Sequence, residues 1–424
     1  PGRTLFPYTT LFRSALLFAV AGTLSLGFTA CSSNDDPGIS EEDYTNKQFG
    51  NEAMAACTDL TTALTEANQA IVSSQLSAEQ KKELQNILNA NVDNVIYPTY
   101  KELGDDVEAL HAALGTLSEK EISQKNVDDA CAAFLKAREQ WERSEAFLMG
   151  PASDFSIDPH IDSWPLNRTA LHAYFGNPTA EIKDESILGF HALEFILFRN
   201  GKPRKVAEFQ GNDTYPNFTD IKGSDELKYA EAVIKDLLNH VYELEVAWNP
   251  TNATRLAAVK AANLKYQTEK GLSYGENMRS AGDAAKSTFA SIDVAVTQVL
   301  SETEGSCLGI ANEVGTAKIS NPFQAGDISY VESPYSYNSI TDFQNNIRSI
   351  ENIWYGGRNG KNSNAAYSFH KFFQSNKTAV GRKVEAAIET AIQKIGRMPK
   401  PFVKYVSKVW NKKFEDDNDF DVKE

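Results

Sequence analysis

The stretch ILGFHALEFILF, residues 187–198, places a histidine and a glutamate inside an otherwise apolar run. With 3.6 residues per turn, His191 and Glu194 fall on one face of a helix together with apolar neighbours. A buried charge without a partner would be costly or would shift its pKa. We therefore expect this pair to be satisfied by other protein groups, or to be completed by a metal or a ligand.

Helical periodicity continues along most of the chain and predicts an all-α fold, since no stretch shows sustained alternation of the strand type. A chain of this length suggests two domains or one large one. A weak repeat between the helix that ends at Gly150 and residues 343–356 favours two packed helical bundles, and the Asn249-Pro250 break divides them into residues 45–248 and 251–411. The helices predicted for the second half include 252–270 and 276–302. Long irregular loops rich in Gly, Asn, Pro and Tyr are expected to carry functional surface. They cover residues 150–168, 200–224 and 304–338.

The chain ends are interpreted as processing or tail segments rather than as parts of the fold. Residues 1–14 resemble a translated sequencing adapter and are left out of the fold prediction. Residues 15–30 form an apolar run of signal-peptide length, shorter than the ~20 residues that span a bilayer. The last segment, residues 412–424, is predicted to be an acidic tail.

Small residues precede Cys31, an arrangement that resembles a bacterial lipobox. Residues 31–44 would then link a lipid on Cys31, which holds the protein to the membrane, to the folded part. We expect an outer-membrane lipoprotein of the bacterial cell envelope, facing either the periplasm or the cell surface. An ordinary signal peptide followed by a chance cysteine is the alternative.

The formal net charge of the chain is -15, and loss of Arg3 and Arg13 with residues 1–30 takes it to -17 (-15 - 2). A chain this acidic is a poor nucleic-acid binder, so no nucleic-acid partner is expected. Acidity of this kind attracts cations in a general way.

Beyond Cys31 there are three cysteines, and none of them has Cys-x-x-Cys spacing, so a zinc thiolate site is not expected. An oxidising envelope would permit one disulfide. The pair favoured is Cys57 with Cys131, because both residues fall on long predicted helices of the first half.

A predicted helix over residues 126–148 carries two charged residues, Arg138 and Glu145, on its core-facing stripe. Burial of either residue without a partner would be destabilising. A structural salt bridge is one interpretation. In the other, Glu145 points at the same cavity as His191 and Glu194.

The loop after this helix contains Asp158-Pro159-His160-Ile161-Asp162, a second concentration of potential ligands. Imidazole and carboxylate groups suit zinc, iron or copper, and Asp162 is the candidate ligand taken from this loop. Turn formation is the alternative role for such residues. The other histidines, expected to be solvent-facing or capping, are His111, His172, His240 and His370.

The GxHxxE pattern of residues 189–194 closely resembles the signature of the imelysin family. The similarity covers roughly residues 45–410 and includes WERSEAFLMGP at 141–151, IDSWPLN at 161–167 and MPKPF at 398–402. That family consists of bacterial envelope proteins classed as candidate metallopeptidases and related to periplasmic components of iron uptake. The resemblance implies a divalent transition metal, iron or zinc, at His191 and Glu194. It also implies outer-membrane iron-uptake proteins as partners.

Three functions remain open from the sequence. The first is an envelope lipoprotein that binds a transition metal for iron acquisition. The second is a metallopeptidase, which also needs an open coordination position and a base, and the chain lacks the His-Glu-x-x-His motif that would supply them. The third is a surface adhesion or glycan-binding protein that uses the Tyr-rich loop 329–338 for contact, with a purely structural His-Glu pair.

Overall fold

The structure is a computed structural model that describes residues 39–119, 122–178 and 182–410. The predictions for residues 1–14, 15–30 and 412–424, and for the lipid on Cys31, lie outside the described residues. From Ser40 to residue 410, the described residues form one compact unit.

The described chain is helical almost throughout, which confirms the all-α prediction. Its α-helices are α1 (Glu41–Thr45), α2 (Gln48–Val72), α3 (Ala78–Asn91), α4 (Tyr97–Glu119), α5 (Gln124–Glu142), α6 (Pro151–Asp154), α7 (Asp158–Asp162), α8 (Arg168–Gly176), α9 (Gly189–Leu197), α10 (Gly223–Trp248), α11 (Ala253–Ala261), α12 (Tyr274–Arg279), α13 (Ile292–Leu300), α14 (Cys307–Glu313), α15 (Ser320–Gln324), α16 (Ser339–Tyr355), α17 (Phe369–Asn376), α18 (Thr378–Gly396) and α19 (Phe402–Val409).

Single turns of 3-10 or π-helix extend or connect these helices, at Val92–Ile96, Glu145–Phe147, Glu185–Ile187, Glu208–Asn212, Val314–Lys318, Ile328–Tyr330 and Gly360–Asn362. Two short strands, β1 (Phe198–Arg199) and β2 (Lys202–Pro203), pair antiparallel directly after α9.

Capping residues fix where several helices begin and end. Ser77 starts α3 in a capping box with Gln80, in which each side chain accepts a hydrogen bond from the other residue's backbone N–H. Gly356 closes α16 in the left-handed region, at φ 69°, a conformation that favours glycine.

The long helices contact partners that are distant in the sequence. Helix α4 packs against α5 and α10, whereas α2 packs against α18 and α14. Although α2 belongs to the first half of the chain, its main neighbours therefore come from the second half. The division into bundles at 45–248 and 251–411 stays a prediction. None of the described helices is both long and apolar enough to cross a membrane.

Some predicted boundaries are wrong. Helix α12 ends at Arg279 and α13 begins at Ile292, so the predicted helix 276–302 is broken in the middle by a turn in which Gly282 has φ 89°. Helix α11 ends at Ala261, well before residue 270. The loop 304–338 instead contains α14 and α15, which are too short to show clear periodicity in the sequence.

The predicted disulfide is also wrong, because Cys57 and Cys131 are separate, buried thiols, as is Cys307. Cys57 packs beside Gly315, whereas the Sγ atom of Cys131 lies 3.4 Å from the carbonyl oxygen of Leu197. The two thiols face different surroundings because α2 and α5 pack on different helices. Burial raises the pKa of Cys57 and of Cys131 to about 12.

Buried thiols with raised pKa values should react slowly, because the thiolate is the nucleophile. We expect Cys57, Cys131 and Cys307 to resist Ellman's reagent in the native protein and to react fully in guanidinium chloride without prior reduction. A count of released thiolate before and after denaturation measures this. Thiols that become reactive only after reduction would contradict the assignment and would indicate a disulfide.

Candidate metal centre

Helix α9 carries the His-x-x-Glu pair into the protein interior. His191 is 2% exposed and Glu194 is 1% exposed. The helix begins at Gly189, whose φ is 78°, and a Cβ atom at this position would lie 2.3 Å from the carbonyl oxygen of Ile161. Only glycine permits this conformation together with so close a contact. The glycine of the motif therefore brings the start of α9 against α7.

Carboxylates lie near both ring nitrogens of His191. On one side, Nδ1 is 3.6 Å from Oε2 of Glu194. On the other side, Nε2 is 3.1 Å from Oδ1 of Asp162 and 3.9 Å from Oε1 of Glu332. The guanidinium of Arg138 also approaches this side, with Nη2 3.4 Å from Nε2. The structure thus brings together His191, Glu194 and Asp162, three of the predicted site residues.

The protonation of His191 follows from these neighbours. Burial and the charge of Arg138 both oppose protonation, but Asp162 and Glu194 outweigh them and raise the pKa of His191 to about 9. Burial by itself would raise the pKa of the Asp162 carboxyl. The charges of Arg138 and His191 nevertheless hold that pKa well below the usual range.

Arg138 is the central cation of this site and is fully buried on α5. It donates to Asp162 and, over 2.8 Å, to Oε1 of Glu332. Its Nη2 atom also lies 2.6 Å from Oε1 of Glu142, one turn further along α5. The indole N–H of Trp141 donates to the second oxygen of Asp162 at 2.8 Å. Arg138 therefore pairs with three carboxylates, and none of them belongs to Glu145.

Glu145 is buried beside a second cation. Its carboxylate lies 4.0 Å from Nζ of Lys318, which in turn donates to Oε1 of Glu332 at 3.0 Å. Burial raises the pKa of Glu145 well above its usual range, in spite of Lys318. Because α5 ends at Glu142, Glu145 lies in the following 3-10 turn and not on the predicted stripe. Its role as a metal ligand stays a prediction.

The loop before α16 holds Glu194 in place. Oε1 of Glu194 accepts hydrogen bonds from the backbone N–H of Tyr335 at 3.2 Å, from that of Ser336 at 2.8 Å and from the Ser336 hydroxyl at 2.6 Å. Half of the residues in the loop 329–338 are buried, and the other half are partly exposed. The backbone of this Tyr-rich loop satisfies a buried carboxylate, and its use as a contact surface stays a prediction.

Acidic groups outnumber basic ones in this interior. Six carboxylates face three cationic groups, Arg138, Lys318 and His191, so full ionisation would give a charge of -3 (3 - 6). Five of them, Glu142, Glu145, Glu194, Glu332 and Asp342, are buried residues, and the side chain of the sixth, Asp162, is 7% exposed. Burial raises the pKa of Glu142 and, more strongly, that of Asp342. Bound protons or a bound cation can neutralise this surplus.

Three carboxylate oxygens at this site are buried and accept no hydrogen bond from the residues that the structure describes: Oε2 of Glu194, Oε2 of Glu332 and Oε1 of Glu142, of which the last is ion-paired with Arg138. Asp162, His191 and Glu332 each offer a ligand atom within 4.8 Å of the other two. One imidazole with several carboxylates suits zinc or iron. Glu332 and Lys318 were not predicted, because both lie in a stretch without clear periodicity.

A second group of potential ligands lies closer to the surface and consists of His160, Asp236 and His240. His240 is only 9% exposed and contacts Glu243, so the prediction that it faces solvent is wrong. A sequence signal for it does exist, because His240 and Glu243 repeat the His-x-x-Glu spacing. The other three, His111, His172 and His370, are partly exposed.

Comparison with known proteins places these features in a family. Iron-regulated protein A of Synechococcus elongatus is 25% identical over 310 residues, which are 73% of this chain and 74% of that protein. The crystal structure of a candidate iron-regulated protein A precursor from Parabacteroides distasonis has 24% identity and a TM-score of 0.61, covering 80% of this chain and 96% of its own. The crystal structure of an imelysin-like protein from Psychrobacter arcticum 273-4 has 15% identity and a TM-score of 0.49. The match covers 80% of this chain and 93% of that chain.

The family model described as imelysin matches residues 96–418, which is more than half of the chain. This range includes the Gly189, His191 and Glu194 motif and every residue of the buried cluster. The chain therefore belongs to the imelysin family.

Proposed function

We propose that this protein is an envelope protein that binds a transition metal ion, iron or zinc, at His191 and serves iron acquisition. The observation that carries the proposal is the surplus of buried carboxylates around one histidine. Within the part of the chain that the structure describes, Oε2 of Glu194 and of Glu332 also lack hydrogen-bond partners. Buried polar atoms are rarely left in this state. A cation would offset the surplus negative charge and could be ligated by Glu332, while Oε2 of Glu194 faces the imidazole that would hold the ion.

The geometry supports separate roles for the carboxylates. His191, through Nε2, would hold the ion together with Asp162 and Glu332. Glu194 faces Nδ1 at 3.6 Å and would favour the neutral ring that keeps its proton on Nδ1, which leaves the lone pair on Nε2 for the ion. Carboxylates commonly orient metal-binding histidines in this way. For Glu194, this orienting role is better supported than direct ligation. The bound metal would supply Lewis acidity.

Arg138 would compete with the ion for the same oxygens, since it contacts both Asp162 and Glu332. Binding would then replace these contacts with metal bonds. Glu142, at 2.6 Å, would still neutralise the guanidinium after such an exchange. Lys318 similarly has Glu145 within 4.0 Å if Glu332 turns to the ion.

The burial of this centre favours an ion over a polypeptide as its ligand. His191, Glu194, Glu332 and Arg138 are all at most 2% exposed, so a peptide bond could reach them only after a large opening of the structure. The names of the Synechococcus and Parabacteroides relatives support iron as the metal. A lipid on Cys31 and outer-membrane iron-uptake partners remain parts of the proposal.

Metal titration of the His191→Ala variant tests the proposed function. We expect its affinity for Fe2+, measured under anaerobic conditions, or for Zn2+ to fall at least ~10-fold at one site, since even loss of an orienting residue has an effect of this size. His370→Ala is the matched control, because it removes a partly exposed histidine whose Nδ1 lies 2.7 Å from a glutamate, Glu385. Isothermal titration calorimetry would measure both variants.

Thermal melts of the metal-free proteins complete this test. We expect the His191→Ala variant to remain folded, because Arg138 still pairs with Asp162 after the imidazole is removed. Unchanged metal affinity combined with a large fall in Tm would contradict the proposal and would make the His-Glu pair purely structural.

A further inference from the structure

We propose that the protein has a second metal site, separate from the buried centre, in which His160, Asp236 and His240 bind a divalent ion of the Zn2+ type. His160 lies on α7, while Asp236 and His240 lie one turn apart on α10. Each residue offers a ligand atom within 4.8 Å of the other two.

The Asp236 carboxylate lies between the two imidazoles. Its Oδ2 atom is 2.9 Å from Nδ1 of His160, and its Oδ1 atom is 3.7 Å from Nε2 of His240. Two ligands of a tetrahedral zinc ion, each about 2.1 Å from the metal, are about 3.4 Å apart. The two observed separations involve different oxygens of Asp236 and lie on either side of this value, and the three ligand atoms lie within 4.8 Å of one another. Binding therefore needs a side-chain adjustment that brings one carboxylate oxygen and both nitrogens to the ion.

Glu243 prepares His240 for such a role. Its Oε2 atom is 2.8 Å from Nδ1 of His240, and its Oε1 atom accepts a hydrogen bond from the backbone N–H of Lys265 at 3.1 Å. With its proton on Nδ1 and donated to Glu243, neutral His240 presents its Nε2 lone pair toward Asp236. A carboxylate that fixes the tautomer and raises the basicity of a ligating imidazole is a frequent feature of metal sites.

The helices supply the required positions. Asp236, His240 and Glu243 are spaced four and three residues apart and therefore share one face of α10. The five-residue helix α7 packs against this helix and against α9, and it provides His160 to the outer group and Asp162 to the buried centre.

The outer group is reached by solvent, since the side chains of His160 and Asp236 are 25% and 30% exposed. Water can thus provide a fourth ligand.

The alternative for these residues is a hydrogen-bonded His-Asp-His group that holds α7 on α10 without a metal. The His160 and His240 rings stack at 3.8 Å with an interplanar angle of 26°, a contact that needs no ion. The two interpretations differ in one measurable property, which is the affinity of the site for Zn2+ alone.

The test is a Zn2+ titration of the full chain in the His191→Ala background, which removes the ligand of the buried centre. We expect one zinc equivalent to remain, and we expect His160→Ala, His240→Ala or Asp236→Asn to weaken it at least ~10-fold. His111→Ala is the matched control, because it removes a partly exposed histidine that lies 3.4 Å from Glu231 on the same helix α10. That variant should bind as its parent does.

Asp236→Asn keeps the shape of the side chain, so it tests ligation even if a histidine variant is unstable. If the His191→Ala background itself proves unstable, counting zinc equivalents in the wild-type background gives the same comparison. Anomalous scattering from zinc-loaded crystals should locate the ion at these three residues. Equal zinc affinity in parent and variants, or an ion found elsewhere, would overturn the proposal. If the buried centre does not bind metal, wild type and the His191→Ala variant will bind zinc equally, and this outcome is distinct from the result for the outer group.

Discussion

Replacement of Arg138 by methionine should lower the free energy of unfolding by about 3–5 kcal/mol, the range measured when one partner of a buried ion pair is removed. The change leaves Asp162, Glu142 and Glu332 without their shared cation, in an interior that already has more acidic than basic groups. Methionine fills most of the volume of the arginine stem, so loss of charge dominates over loss of packing. Urea denaturation of both proteins at neutral pH would measure the difference.

Lys125→Met is the control for this experiment, because it removes a cation from the same helix. Lys125 pairs with Asp129 at 2.5 Å, and the two side chains are 80% and 56% exposed, so a loss below about 1 kcal/mol is expected. Zn2+ or Fe2+ should restore part of the stability of Arg138→Met, since an ion that binds the native state stabilises it. Equal losses in the two variants would show that the buried carboxylates do not depend on Arg138.

The sequence predicted the centre of the buried site better than its periphery. His191 and Glu194 stand out because they interrupt an apolar helix, and the structure confirms that both are buried. Asp162 could be selected because it shares a short segment with other potential ligands. Glu332 gave no comparable signal, because it comes from a loop more than a hundred residues away, and only tertiary packing places it near His191.

Extrapolation of a regular pattern explains the less accurate predictions. A regular helical stripe through Arg138 would include Glu145. However, α5 ends at Glu142, and the turn that follows changes the direction of the Glu145 side chain. Periodicity likewise places Cys57 and Cys131 on helices without showing which neighbour each helix faces. The prediction for His240 is wrong for another reason, since Glu243 three residues later gives it the same His-x-x-Glu spacing as the buried pair.

Gly189→Ala should destabilise the protein by about 2–5 kcal/mol, because two costs add at this position. A residue with a Cβ atom in the left-handed region costs roughly 1–2 kcal/mol. The new Cβ atom would also lie 2.3 Å from the Ile161 carbonyl oxygen and 3.0 Å from the backbone nitrogen of Asp162, so backbone must move. Overpacking of this kind typically costs about 1–3 kcal/mol.

The required movement separates α9 from α7, and it therefore also lengthens the 3.1 Å contact between His191 and Asp162. We expect Gly189→Ala to weaken metal binding at the buried centre as well as to lower the Tm. Gly115→Ala in α4 is the matched control, since its Cβ atom would meet nothing within 4 Å and alanine is favoured over glycine inside a helix by up to about 1 kcal/mol. Thermal melts and zinc titrations of both variants would measure these effects. A Gly189→Ala protein as stable as wild type would mean that α9 does not begin directly against α7, and the glycine of the motif would then need another explanation.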